Sequence, residues 1–298
     1  MEILVVGGQG FVGRYLVKEL QKNQDNHVTV ISRGESKGNS DVKHFGGADI
    51  QDYQSIVQHF KDKDIVFNLA GYISFKQKDK SKLEKINHLG TLNVLKACEE
   101  MNVKKLIHLS STAALGFNQN IIDENHKFDW SKHKKCVYSI SKFLSLDQIR
   151  KSPCNSIIIY PSLVLGPGDE TNTLKLINAI KEGKIPFNPP GCNSIIDVRD
   201  LARALTLMIE ETDHSEYIIT GGTYSFKEVN QIIANELRVK PTKRTLSKAM
   251  FYPSLALATI LESISKEPKV TYENMYLSFK KRKHSTDRLK NLGFQPYY

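Results

Sequence analysis

Two groups of residues in this chain could do chemistry, and both owe it to spacing. The first is Gly7-Gly8-Gln9-Gly10-Phe11-Val12-Gly13, directly after the apolar run Ile3-Leu4-Val5-Val6. Gly7 permits a tight turn, Gly10 lets the backbone approach a pyrophosphate, and Gly13 lets a helix pack closely on a strand. The helix that starts at Phe11 and Val12 then offers its free N–H groups to the anion. The second group is Tyr138-Ser139-Ile140-Ser141-Lys142. Four-residue spacing on a helix puts phenol and ammonium on one face. A phenol ordinarily titrates at ~10, too high for a proton donor and acceptor near neutrality, and a nearby cation lowers it. Among 12 tyrosines two others have a lysine four residues on, Tyr72/Lys76 and Tyr276/Lys280. Only Tyr138 sits in a helical pattern after a serine-bearing strand and before the apolar run Ile157-Ile158-Ile159.

The second strand ends Ile31-Ser32-Arg33. In a dinucleotide site an acidic residue here binds the ribose 2′-hydroxyl and repels a 2′-phosphate, whereas Arg attracts one. Ser32 stands at the acidic position and Arg33 follows, which predicts NADP over NAD. A charge-assisted hydrogen bond of about 1.5–3 kcal/mol moves the preference by one or two decades.

These groups need a frame. Strand signals recur at 3–6, 27–32, 65–70, 105–110, 156–160 and 217–220, with a further strand presumed before Asp49. Helical patterns lie at 11–22, 82–101, 138–150, 173–182, 199–210 and 226–237. Such alternation predicts an α/β fold with a doubly wound parallel sheet, whose ligands sit outside the carboxyl ends of the strands. Residues 1–165 read as the dinucleotide-binding core. Pro/Gly-rich stretches at 166–168 and 186–191 mark departure into a smaller, mostly helical lobe over 166–298, with 196–222 returning to the core. In that lobe Met250 to Leu261 is the most apolar run outside the sheet, and Pro253 is expected to interrupt it. The run is expected first to pack the lobe against the core; as the functional alternative, Phe251 and Tyr252 wall a substrate pocket that takes a largely apolar ketone.

Composition removes several classes. No stretch approaches the ~18 apolar residues of a membrane span. No basic flank or cleavable apolar region precedes the first strand, and Cys98, Cys136, Cys154 and Cys192 lack metal or disulfide spacing. These features predict a cytoplasmic protein, monomer or homodimer, with no metal. The net charge of +10 reads as lysine-rich solvated faces, with no nucleic-acid partner expected.

The ordered motifs resemble the extended short-chain dehydrogenase/reductase family, the NAD-dependent epimerase/dehydratase superfamily, and in the tail its dihydroflavonol-reductase-like branch. The glycine spacing is that family's variant. Asp49-Ile50 resembles its adenine-side pair, and Asp64 to Gly71 its fourth-strand motif, against whose end, Leu69-Ala70-Gly71, the cofactor lies. Asn87-His88-Leu89-Gly90-Thr91 resembles its asparagine-bearing helix, and Leu106 to Gly116 its serine-bearing strand, with Ser111 the better match to the serine and Ser110 second. Pro161 and Leu163 fall in the segment that contacts nicotinamide, where Tyr160 replaces a frequent Arg. The tail Glu267-Pro268-Lys269-Val270-Thr271, Ser285-Thr286 and Leu292-Gly293-Phe294 carries the branch resemblance. The resemblance implies a Rossmann core. It also implies Tyr138 as general acid/base, Lys142 as the group that lowers its pKa and binds ribose, Ser111 as substrate orienter and Asn87 as a support for Lys142.

The expected function is hydride transfer between NADPH and a ketone/alcohol pair. Nucleotide-sugar epimerases and dehydratases share the cofactor motifs. They usually clamp a diphosphate with Arg where Asn193 stands, and Ser162 replaces a frequent asparagine, though Lys184 or Arg199 could compensate. A non-catalytic relative using its basic surface for RNA or assembly would have no physical need for a pKa-tuned tyrosine.

Overall fold

The computed structural model describes residues 1–35, 42–211 and 215–298. Seven strands form a wholly parallel sheet: β1 Glu2–Val6, β2 His27–Ile31, β3 Lys43–Phe45, β4 Ile65–Asn68, β5 Lys105–Leu109, β6 Ser156–Pro161 and, after β7 and β8 below, β9 Glu216–Ile219. Their order, β3-β2-β1-β4-β5-β6-β9, reverses between β1 and β4. Successive residues explain why this sheet has helices on both sides. Leu4, Val6, Val66, Leu106 and Ile158 join one core cluster, while Ile3, Val5, Phe67, Ile107 and Ile159 join the other. A strand buried on both faces reads as a continuous apolar run.

The helix Phe11–Leu20 follows β1 and buries Gly13, Leu16 and Leu20. A Cβ on Gly13 would lie 2.5 Å from the Gly7 carbonyl oxygen, so only glycine lets this helix approach the turn so closely. Gly7 itself has φ +82°, the left-handed region that favours glycine.

Three sequence expectations are corrected. The helix expected over 82–101 begins at Lys80 and contains a π-helical stretch, Glu84–Leu89, before Gly90–Glu100 continues it. The helix expected over 138–150 is two, Val137–Phe143 and Leu146–Lys151. Pro253 interrupts nothing: it lies in the first turn of a continuous helix, Phe251–Ile264. The missing amide hydrogen of Pro253 is among those that have no intrahelical acceptor there.

A second, smaller sheet had no counterpart in the sequence reading. It comprises β7 Leu163–Leu165, β8 Cys192–Asp197, β10 Gly222–Ser225 and β11 Lys281–Arg282. β8 lies in its middle, parallel to β7 and β11 and antiparallel to β10. Helix Val198–Leu207 packs on Phe11–Leu20, and Leu289 and Phe294 near the chain end join the core of the main sheet.

Candidate active site

The glycine turn after β1 and the end of β4 meet at the reversal point of the sheet. Between them opens a cleft of about 330 Å³. Gly7, Gly10, Ser32, Arg33, Asp49, Ile50, Leu69, Ala70 and Gly71 line it, all singled out from sequence. Gln9, Gly34, Ala48 and Ile86 line it as well and were missed. Gln9 had a readable signal, since it lies inside the glycine motif. Its Oε1 is 3.2 Å from Ser32 Oγ, which also lies 2.9 Å from His44 Nε2 on β3. Burial holds the His44 imidazole below its ordinary pKa. Arg33 is exposed at the mouth.

The cleft fits a dinucleotide by what its backbone leaves open. A Cβ at Gly10 would stand 3.2 Å from the Gly7 carbonyl oxygen, and one at Gly71 only 3.1 Å from Lys142 Nζ. Phe11 and Val12 are half-buried at the start of the first helix, whose N-cap is Gly10. Pro161 ends β6, and Leu163 starts β7. Neither is among the residues lining this part of the cleft.

Beyond Gly71 the structure brings four predicted residues together. Tyr138 and Lys142 are buried on the helix Val137–Phe143, and Ser111 lies close enough to the Tyr138 phenol to lower its pKa. Ser111 caps the turn Thr112–Leu115 by accepting the Ala113 N–H at 3.1 Å. Ser110 instead reaches toward the Lys142 carbonyl, so the resemblance's first choice of serine is the one beside the phenol. Lys142 Nζ donates to the Leu109 carbonyl at 3.1 Å. Asn87 lies in the π-helical stretch. Its Oδ1 accepts the Tyr72 N–H at 2.8 Å, and its Nδ2 donates to the Tyr72 carbonyl and to Ser141 Oγ, each at 2.9 Å. It thereby pins the turn after β4 to the helix that carries Lys142.

Electrostatics at the pair differ from the simple expectation. Burial pushes the Tyr138 phenol up to about 12, outweighing Ser111, which lowers it. Burial likewise lowers Lys142 to about 8. The phenol is shut between Ser111 and the ring of Phe75, 5.1 Å away edge-on. His108, buried beneath, falls to about 3 through burial and the Lys142 charge.

One buried group at this helix was invisible to sequence reasoning. Glu273, fully buried on the helix Tyr272–Ser278, accepts the Tyr138 N–H at 2.9 Å through Oε2. Its Oε1 accepts the Ser139 N–H at 3.0 Å and the Ser139 hydroxyl at 2.7 Å. Burial raises its pKa to about 7 despite those hydrogen bonds. No local pattern links residues 135 positions apart.

The rival Tyr-x-x-x-Lys pairs are elsewhere engaged. Tyr72 hydrogen-bonds to Asp79, and Tyr276 bonds to His133 with Lys280 over its ring. Tyr160 is fully buried and donates to Glu216, which is also ion-paired with Arg150.

The sequence model of the NAD dependent epimerase/dehydratase family matches residues 3–221. The chain belongs to that family. Among its relatives, this family member is 24% identical to cinnamoyl-CoA reductase 1 of Petunia hybrida over 98% of the chain and 87% of the relative. It is 29% identical to N-acetyl-alpha-D-glucosaminyl-diphospho-ditrans,octacis-undecaprenol 4-epimerase of Escherichia coli O157:H7, over 64% of the chain. That match spans only 57% of the relative's length. The crystal structure of gox2253 superposes with a TM-score of 0.84 at 26% identity, covering 99% of this chain and 93% of the other. The parallel sheet with its reversal between β1 and β4 has the Rossmann architecture. No helix among the described residues is long and apolar enough to cross a membrane.

Proposed function

We propose that the chain is an NADP-dependent oxidoreductase that transfers a hydride between nicotinamide and a ketone/alcohol substrate. The observation that carries this reading is the buried Tyr138 phenol, close enough to Ser111 for that side chain to lower its pKa, with Lys142 one helical turn away beside Gly71. The glycine turn, Arg33, Asp49 and Leu69 to Gly71 would hold the cofactor, with Lys142 on its ribose. The bound cofactor supplies the hydride at its nicotinamide ring. Ser111 orients the substrate oxygen, and Tyr138 gives or takes the proton at that oxygen. Burial and the Glu273 charge raise the phenol's pKa, and of the groups around it only Ser111 lowers it, so the expected lowering by Lys142 is not seen and its proposed role is to hold the ribose. Asn87 keeps the Tyr72 turn and the lysine helix in register.

Residues 166–298, apart from the return over 196–222, are proposed as the substrate lobe. Whole-length similarity to a reductase supports this assignment. Cys98, Cys136, Cys154 and Cys192 are all buried and unpaired, which supports a reducing, cytoplasmic setting. The deciding experiment is an optical screen of NADPH oxidation with ketones, aldehydes and sugar nucleotides. A ketone turned over by the wild type and not by Tyr138→Phe is the expected result.

One observation favours a diphospho-sugar epimerase as second reading. Arg282 is the register partner of Asn193, and its buried Nε has no partner among the described residues. Against it, the two cations available to replace the missing Arg are occupied: Lys184 pairs with Glu182, and Arg199 with Asp197. Micromolar calorimetric binding of a UDP-sugar would promote this second reading.

A further inference from the structure

The helix Phe251–Ile264 leaves its outer face bare. Tyr252 is 77% exposed, Leu257 and Ile260 56% each, and Ile264 74%. Pro253, Ala256 and Leu261 are exposed on the same element. Residues 253, 257, 260 and 264 repeat at helical spacing and form one stripe. Soluble monomers seldom expose a contiguous apolar patch of more than a few hundred Å².

What the stripe lacks is as informative as what it shows. The helix has one charged residue, Glu262, and it turns inward to accept the Gln77 and Tyr272 N–H groups. The hydroxyls of Thr259 and Ser263 are spent on the helix's own backbone, at the Leu255 and Ile260 carbonyls. A water-facing helix of this length ordinarily carries charged residues outward.

The surroundings are basic. Exposed Lys248 lies in the turn just before the helix, and exposed Lys266 and Lys269 follow it. Lys76 and Lys78, from a distant segment, dock at its far end and share a single carboxylate, Glu267. An apolar stripe rimmed by lysines is complementary to one surface above others: apolar chains beneath anionic headgroups.

We propose that this helix seats the protein on an anionic lipid bilayer, lying in the plane of the headgroups with Leu257, Ile260 and Ile264 inserted. The lysine rim adds attraction, about fivefold in affinity for each residue near the surface. The site is connected to the chemistry. The 71–79 segment held by Glu262 carries Phe75, whose ring lies against Tyr138. Docking therefore brings the active-site segment next to the lipid. The proposal goes beyond the oxidoreductase reading and does not depend on it.

The test is sedimentation of the full-length protein with vesicles, either pure phosphatidylcholine or phosphatidylcholine with phosphatidylglycerol, at low and at high salt. The wild type should pellet with the anionic vesicles at low salt and largely escape at high salt. The triple variant Leu257→Gln/Ile260→Gln/Ile264→Gln changes exposed side chains only, so its melting temperature should hold while binding drops by about tenfold or more. Lys266→Gln/Lys269→Gln should weaken binding several-fold. Tyr138→Phe should pellet like the wild type whatever its activity, which keeps the surface separate from the catalytic assignment. Absence of pelleting at low salt, or equal binding by the triple variant, overturns the proposal. So does a concentration-dependent dimer that the triple variant converts to monomer, because the face would then belong to a second copy of the chain.

Discussion

Tyr138 works against its own surroundings. A phenol pushed up to about 12 by burial holds its proton firmly, and Ser111 offsets only part of that. The proposed roles make Tyr138→Phe the sharpest test, because it removes the proton donor and keeps the ring against Phe75. Turnover should fall by about two to four decades with cofactor affinity unchanged. A second prediction concerns the cleft mouth, where Arg33 is exposed beside Ser32. NADPH should bind at least about tenfold tighter than NADH by calorimetry, and Arg33→Ala should erase most of the difference. His44 and Gln9 both reach Ser32, so a residual preference in Arg33→Ala would point to them.

The element that matters most is short. The helix Val137–Phe143 is seven residues long and holds two of the proposed catalytic side chains. Its first N–H groups are taken by Glu273 from a helix near the chain end. An anion at a helix start is favourable, and removing a buried charged acceptor costs about 1–3 kcal/mol or more for the donors left bare. Glu273→Ala should lower stability by that order and reduce kcat more than it raises KM, with Glu273→Gln recovering only part of both, because its amide nitrogen would face an N–H donor that the carboxylate accepts. Because burial raises Glu273 to about 7 from an ordinary 4.5, the folded protein keeps a proton that the unfolded chain has already released between those values. Its contribution to stability therefore falls as pH rises through that window. Subtracting the Glu273→Gln melting curve from that of the wild type at each pH isolates this contribution, and a flat difference would refute it. The same element shows what sequence can convey. The glycine turn and the Tyr138/Lys142 pair were legible because their chemistry is set by residues within one turn of each other. The π-helical stretch that aims Asn87, the small sheet around β8 and the Glu273 cap depend on packing between distant segments, which leaves no local period.

On the scale of the whole molecule, the chain end is woven into the body instead of trailing from it. Leu289 and Phe294 join the core of the main sheet, where the helix carrying Leu289 meets β9, and the Tyr297 and Tyr298 N–H groups are held by buried Asp200. The last strand of the main sheet, β9, is followed by more than seventy residues that contain the Glu273 cap. Among the described residues the cleft at the glycine turn, by contrast, is lined by residues 6 to 86, and only the proposed ribose contact, Lys142, comes from a later helix.

That separation sets an order in time. Contacts between neighbouring segments form before those that close a long loop, and a chain made from its N-terminus has its first domain available early. The cleft can be assembled while the C-terminal third is still unplaced. The helix with Tyr138 cannot be completed until residue 273 arrives. In refolding from denaturant, recovery of cofactor fluorescence should run ahead of recovery of activity, and the lag should lengthen in Glu273→Gln. Simultaneous recovery would mean that the helix start is set by its near neighbours alone. A newborn copy of this enzyme would hold its cofactor first and acquire its reaction last.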